Sequence, residues 1–267
     1  MANYKIINPA LANIAMQSKV TRKTMRVAIT KFSDSIETLT KGVANDAWSL
    51  LLMGEAGQGK TQGVVDTLNA SGVKWIGIKG STSAIGLYKF FFENRHQQVI
   101  VIDDSDAVFE SEEAGNILKA AMETCKVRKI TWSKQNTNLQ SMGIPSAYNM
   151  TARVIIITNK DLEVGEGRMS RAQRIMKPVV DRAPIFKTGL PTREWEIEYL
   201  RMMVADNKIL CFGVRDMTKA EQEEIIQFVI QHSDHFNSIS FRLLDKICGF
   251  YKEMPKTWKD YSLMTLS

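Results

Sequence analysis

No acidic residue occurs before Asp34 in this chain of 267 residues. Lys5, Lys19, Arg22, Lys23, Arg26 and Lys31 stand there unopposed, while residues 34–267 carry 29 basic and 29 acidic side chains. The formal net charge of +6 is therefore confined to the N-terminal stretch. Long apolar runs are missing as well. No segment reaches the roughly 18–20 uninterrupted apolar residues of a membrane helix, so no membrane partner is expected. The start lacks the compact apolar run and small-residue cleavage site of a secretory signal, which points to the cytoplasm. A mitochondrial presequence is disfavoured, because the acid-free stretch has only two arginines, Arg22 and Arg26, and keeps apolar residues throughout. Cysteine is scarce. Cys125, Cys211 and Cys248 are odd in number and far apart. That excludes a disulfide framework or zinc pattern and predicts reduced, mostly buried thiols. His96, His232 and His235 form no ligand spacing with them and are expected to be surface or structural residues.

What is present is a globular composition. Hydrophobic residues make up 44% and charged residues 24%, enough for one large domain or a core domain with a small satellite. Residues 1–46 read as mostly helical, with Pro9 as an early break. Short apolar runs then recur at 48–53 (WSLLLM), 73–78 (VKWIGI), 99–102 (VIVI) and 154–157 (VIII), with a weaker fifth at 183–186 (APIF). Runs of this length bounded by glycine or polar residues suit buried strands of a parallel sheet. Helical segments at 61–69, 83–94 and 112–125 alternate with them, which predicts an α/β fold. After Gly189-Leu190-Pro191 the pattern becomes helical, at 192–205, 218–232 and 240–254. The expected division is a basic helical arm at 1–46, an α/β domain at 47–190 and a small helical lid at 191–267.

Residues 54–61, GEAGQGKT, match G-x-x-x-x-G-K-[ST] without a mismatch, between a predicted strand and a predicted helix. Gly54, Gly57 and Gly59 allow the backbone to bend, so that N–H groups, including that of Gln58, face phosphate oxygens. The helix start adds a favourable dipole. Lys60 would reach the β- and γ-phosphates and the Thr61 hydroxyl would bind Mg²⁺, so ATP and Mg²⁺ are the expected ligands. The run at 99–102 ends in Asp103-Asp104-Ser105-Asp106. Asp103 would hold the metal through water, and Asp104 would polarise the attacking water. The run at 154–157 ends in Thr158-Asn159, and the Asn159 amide could stand between the first and third strand tips or simply close a turn.

In this order the motifs resemble those of the AAA+ ATPase superfamily. Residues 54–61 look like its Walker A motif, 99–108 (VIVIDDSDAV) like Walker B, and Asn159 like the sensor 1 residue. Residues 180–183 (VDRA) resemble the arginine-finger segment, and 240–244 (SFRLL) the start of the sensor 2 helix, with Arg242 as the sensor. The resemblance implies a P-loop NTPase parallel sheet flanked by helices, with the C-terminal lid. It also implies a ring or spiral, hexameric in most of the family, in which Arg182 acts in trans. Arg168, Arg171 and Arg174 share a spacing of three, and Arg171 is the second choice of finger. A finer likeness, through GLY at 86–88 and LKAA at 118–121, is to small ATPases of tailed bacteriophages. One departure stands out. The usual catalytic Glu is here Asp104, its carboxylate set back by roughly one C–C bond, about 1.5 Å, which predicts slow hydrolysis.

Partners are less defined. Tyr88 and Lys89 follow the second strand, where the family often places a channel-facing loop, although Leu87, Phe90 and Phe91 suit packing on the sheet. Lys126, Arg128, Lys129, Trp132 and Lys134 within 126–150 could contact DNA or form a solvated hairpin. The arm at 1–33 could bind DNA phosphates or an acidic neighbouring subunit. The expected function is an oligomeric ATPase that moves or remodels DNA or DNA-bound proteins in phage DNA metabolism. The alternatives are a slow nucleotide-switched loader of a partner such as a helicase, and, less favoured, a small-molecule P-loop kinase.

Overall fold

The computed structural model describes residues 6–17, 20–134, 137–163, 167–205 and 217–266. All five predicted runs form strands: β1 (Leu50–Met53), β2 (Trp75–Lys79), β3 (Val99–Asp103), β6 (Arg153–Thr158) and β7 (Ile185–Lys187). They make one parallel sheet in the order β2-β3-β6-β1-β7. The three inner strands are buried at every position, whereas the edge strands β2 and β7 are not. That is why LLLM, VIVID and RVIIIT lack polar alternation: both faces are covered. Ile36 and Val43 of α2 (Arg22–Ala44) and Val64 and Leu68 of α3 (Lys60–Ala70) pack on Leu50, Leu52, Val99, Val101, Ile155 and Ile157. The remaining helices between strands are α4 (Ala84–Asn94), α5 (Glu112–Ala121) and α7 (Arg171–Val180). The chain is thus α/β, with a five-stranded parallel sheet flanked by helices.

Between α5 and β6 the chain forms an antiparallel pair, β4 (Arg128–Thr131) and β5 (Ala147–Met150), with the short α6 (Thr137–Ser141) between its strands. The 126–150 segment is therefore a hairpin, and it is bolted to α4. The Tyr148 hydroxyl donates to the Tyr88 carbonyl (2.8 Å), and the Tyr88 hydroxyl donates to the Pro145 carbonyl (2.9 Å). Burial pushes both phenols above their ordinary pKa. Tyr88 is fully buried, so the packing alternative applies to it and not the channel-facing one.

By compactness the chain divides into residues 1–34, 55–62 and 188–267 on one side and 35–54 and 63–187 on the other, with boundaries inside α2 and α3. This differs from the expected arm, core and lid. Pro9 does not break a helix; it opens α1 (Pro9–Ala15), where its missing N–H costs nothing, and Asn8 caps the Ala10 and Leu11 amides at 3.1 and 3.3 Å. Ile7 pairs with Gly189 as a parallel bridge. Phe32 of α2 is buried and meets Tyr199 edge-on at 5.8 Å; Tyr199 in turn meets Phe241 at 5.5 Å. The basic N-terminal segment is thus woven into the C-terminal helices. Those helices are α8 (Arg193–Ala205), α9 (Lys219–Gln231), α10 (Phe241–Glu253) and α11 (Trp258–Thr265). Thr218 and Glu221 form a capping box on α9. α11 was not foreseen; its Trp258 is buried against Phe228, with ring centres 4.7 Å apart.

Candidate functional site

The residues singled out by the motifs fall into two groups. The first is the glycine-rich loop. Gly57 and Gly59 have φ of +82° and +81°, a left-handed conformation that favours glycine and turns successive amides to one side. Lys60 opens α3; it is 5% exposed, and its Nζ donates to the Glu55 carbonyl at 2.8 Å. Thr61 follows in the first turn, half-buried. The Gln58 side chain accepts a hydrogen bond from the Thr188 hydroxyl (2.8 Å), a partner that no motif indicated.

The loop is also held from the start of α10. The Phe241 amide donates to the Gly57 carbonyl at 3.1 Å. A Cβ on Gly57 would lie 3.0 Å from the Ser240 Cβ and 3.4 Å from Arg242 Cγ. Arg242, exposed at its end, is therefore set beside the loop although it is far away in the sequence. Ser240 caps α10 through the Leu243 amide (3.2 Å), which fixes this helix start.

The second group lies at the carboxyl ends of β3 and β6. Asp103 is buried, with its carboxylate 3.1 Å from Lys79 Nζ; Asp104 is 3.8 Å from the same ammonium. Asn159 Nδ2 donates to Asp104 Oδ1 at 3.0 Å. β6 lies between β3 and β1, which puts Asn159 at the strand tips as the sequence suggested. The Thr158 hydroxyl donates to Asp106 Oδ1 (2.9 Å), and the Ser105 hydroxyl to the Gly80 carbonyl (2.6 Å). Asp104 has φ of +51°. Asp tolerates the left-handed region better than longer acids, which gives a physical reason for Asp at this position. Lys79 and Asp106 were missed. The available signal was register: Lys79 ends β2 directly opposite Asp103.

The arginines separate clearly. Arg182 Nε donates to Glu123 (2.8 Å), its Nη1 donates to the Pro178 carbonyl, and its side chain is 24% exposed. It is committed to its own chain. Arg171 and Arg174 are exposed on α7 and line an open depression of about 610 Å³ with Glu112 and Asn116 of α5. The expectation of mostly buried thiols also needs correction. Cys125 is exposed, Cys248 is buried with its thiol pushed up to about 12 by desolvation, and Cys211 lies outside the described residues.

No family model matches the chain. A 36.7 kDa protein of Enterobacteria phage T4, described as uncharacterized and placed in the nrdC–mobD intergenic region, is similar to it. The two are 31% identical over 245 residues, covering 88% of this chain and 74% of the phage protein. The chain belongs to the family of this phage protein. The shared stretch is longer than either compact unit, so the phage family has both in at least part. Among the described residues of this member, no helix is long and apolar enough to cross a membrane.

Proposed function

We propose that this phage-family protein is an oligomeric AAA+ ATPase with a P-loop, binding ATP with Mg²⁺ and acting on DNA or DNA-bound proteins. The observation that carries the reading is the loop itself. It has two left-handed glycines, a buried ammonium at the helix start, and a β1 strand that runs straight into it. The donor set suits the ligand. Backbone N–H groups and Lys60 match phosphate oxygens, and the Thr61 hydroxyl and Asp103 carboxylate are the oxygen ligands a hard divalent cation takes. When bound, Mg²⁺ would supply charge neutralisation to the phosphate groups.

The chain's own residues would do the rest. Lys60 binds and orients the terminal phosphates. Asp104 accepts a proton from, or orients, the attacking water, and Asn159 fixes the carboxylate by donating to its Oδ1. Arg242, beside Gly57, is available to the phosphate chain. A neighbouring subunit would supply Arg171 in preference to Arg182, since the latter is held by Glu123. One observation favours the slower, switched version of this activity. Lys79 pairs with both Asp103 and Asp104, so metal binding and water activation must each compete with an ammonium. ATPase rate measured with and without single- and double-stranded DNA separates the versions. Strong stimulation supports the motor, and slow turnover indifferent to DNA supports the switch. Phosphate transfer to a metabolite with no hydrolysis would replace both with a kinase.

A further inference from the structure

We propose that a cationic cavity formed by α2, α8 and α9 is a binding site for the phosphate backbone of DNA. The inference deepens the reading above by naming where DNA is held, and it rests on that reading for the partner. The cavity has a volume of about 430 Å³ and is lined by Arg22 and Arg26 of α2, Arg201 of α8, and Lys219, Gln222 and Glu223 of α9, among others. Two of these arginines, Arg22 and Arg26, are held by Glu198 of α8, whose side chain is 5% exposed. Its carboxylate accepts from Arg22 Nε (2.9 Å) and Arg26 Nε (2.5 Å), and Arg201 Nη1 is 3.9 Å away.

One buried carboxylate thus organises three guanidinium groups. The sites of Arg22 and Arg26 remain open: their side chains are 59% and 51% exposed, with Nε engaged and the terminal N–H donors available for further bonds. Four cations face two acids, Glu198 and Glu223, and Glu223 already accepts a bond from Gln227. Guanidinium groups held in place lose less entropy on binding an anion, and arginine matches phosphate geometry bidentately. Three of the cations meet at Glu198, and Lys219 of α9 adds a fourth on the cavity wall, with more positive than negative charge among them. A strand carrying several phosphates can engage more of these donors at once than a single free phosphate can. The cavity also gives the N-terminal charge a definite place: Arg22 and Arg26 act as part of a walled site, together with Arg201 and Lys219 from far along the chain.

The test is fluorescence anisotropy of a labelled single-stranded oligonucleotide with the full chain, without nucleotide, across a salt series. Arg201→Gln with Lys219→Gln should weaken binding about tenfold or more. It should also lower the salt slope by roughly 1.4, at about 0.7 per lost phosphate contact. Lys126→Gln with Lys129→Gln, an equal charge change on the hairpin, should leave both unchanged. Should a pocket variant fold poorly, iododeoxyuridine crosslinking on the unaltered protein still decides, with adducts expected in residues 193–205 and 219–231. Unchanged affinity and slope in the pocket pair, crosslinks confined to 126–150, or binding of pyrophosphate but not the oligonucleotide would each overturn the proposal. Lys60-dependent ATP binding, measured separately, fails only if the ATPase reading fails.

Discussion

Lys60 is where the phosphate reading can be damaged by one atom group. Removing its buried ammonium in Lys60→Ala should weaken ATP binding by a hundredfold or more, on the order of 3 kcal/mol, as loss of a charge-assisted contact does. Asp104→Asn should keep binding and trap ATP unhydrolysed; surviving turnover would move the base elsewhere. Lys79→Met should raise basal turnover several-fold by taking the ammonium away from Asp103 and Asp104, and an unchanged or lower rate would remove the switch version. Thiol chemistry checks the structure independently. At pH 8 a group whose pKa is raised to about 12 stays protonated, so Cys248 should resist alkylation in the native state while the exposed Cys125 reacts. Peptide mapping of the adducts reads this directly. At this scale the loop's shape was legible, because glycines at that spacing before a helix start admit the left-handed turns found there. Lys79 was not, because a lysine ending a strand gains meaning only from the neighbouring strand's register.

Among the elements, the start of α10 has the most specific consequence. Gly57→Ala would place a Cβ 3.0 Å from Ser240 in a left-handed backbone, at a cost of about 1–3 kcal/mol, and should loosen the loop and weaken ATP binding. Ser240→Ala should cost about 1 kcal/mol through its lost cap. Thermal melting with and without ATP separates the two effects. α7 carries a second test. Arg182→Ala should lower stability by breaking its bond to Glu123, whereas Arg171→Ala should leave stability intact and lower ATPase. Partial rescue on mixing the Arg171→Ala chain with Lys60→Ala chains would show action in trans; no rescue at any ratio would exclude it. The inner strands were readable because burial on both faces leaves continuous apolar runs. β4, with alternating burial over four residues, and α11, anchored by one Trp258, offer too short a pattern for periodicity to register.

On the scale of the whole molecule, the N-terminal segment changes meaning. Read as a sequence, 1–33 is part of a basic arm set apart from the α/β domain and the lid, with DNA phosphates or an acidic neighbouring subunit as its partners. In the structure its helix buries Phe32 against Tyr199 and binds Glu198 through Arg22 and Arg26. Deleting residues 1–33 should therefore lower the melting temperature markedly, since losing a buried aromatic alone costs about 3 kcal/mol or more. A deletion that melts like the full chain would restore the arm as an appendage. This partition escaped sequence reading because the unit is assembled from three separated stretches, and nothing local in residues 1–34 announces their partners in 188–267. The central claim, an ATP site at the loop, is tested most directly by equilibrium titration of a fluorescent ATP analogue with Mg²⁺. The account predicts saturable binding to the unaltered chain that falls at least a hundredfold in Lys60→Ala. Equal affinity in both proteins, or no binding to the unaltered chain, would contradict it.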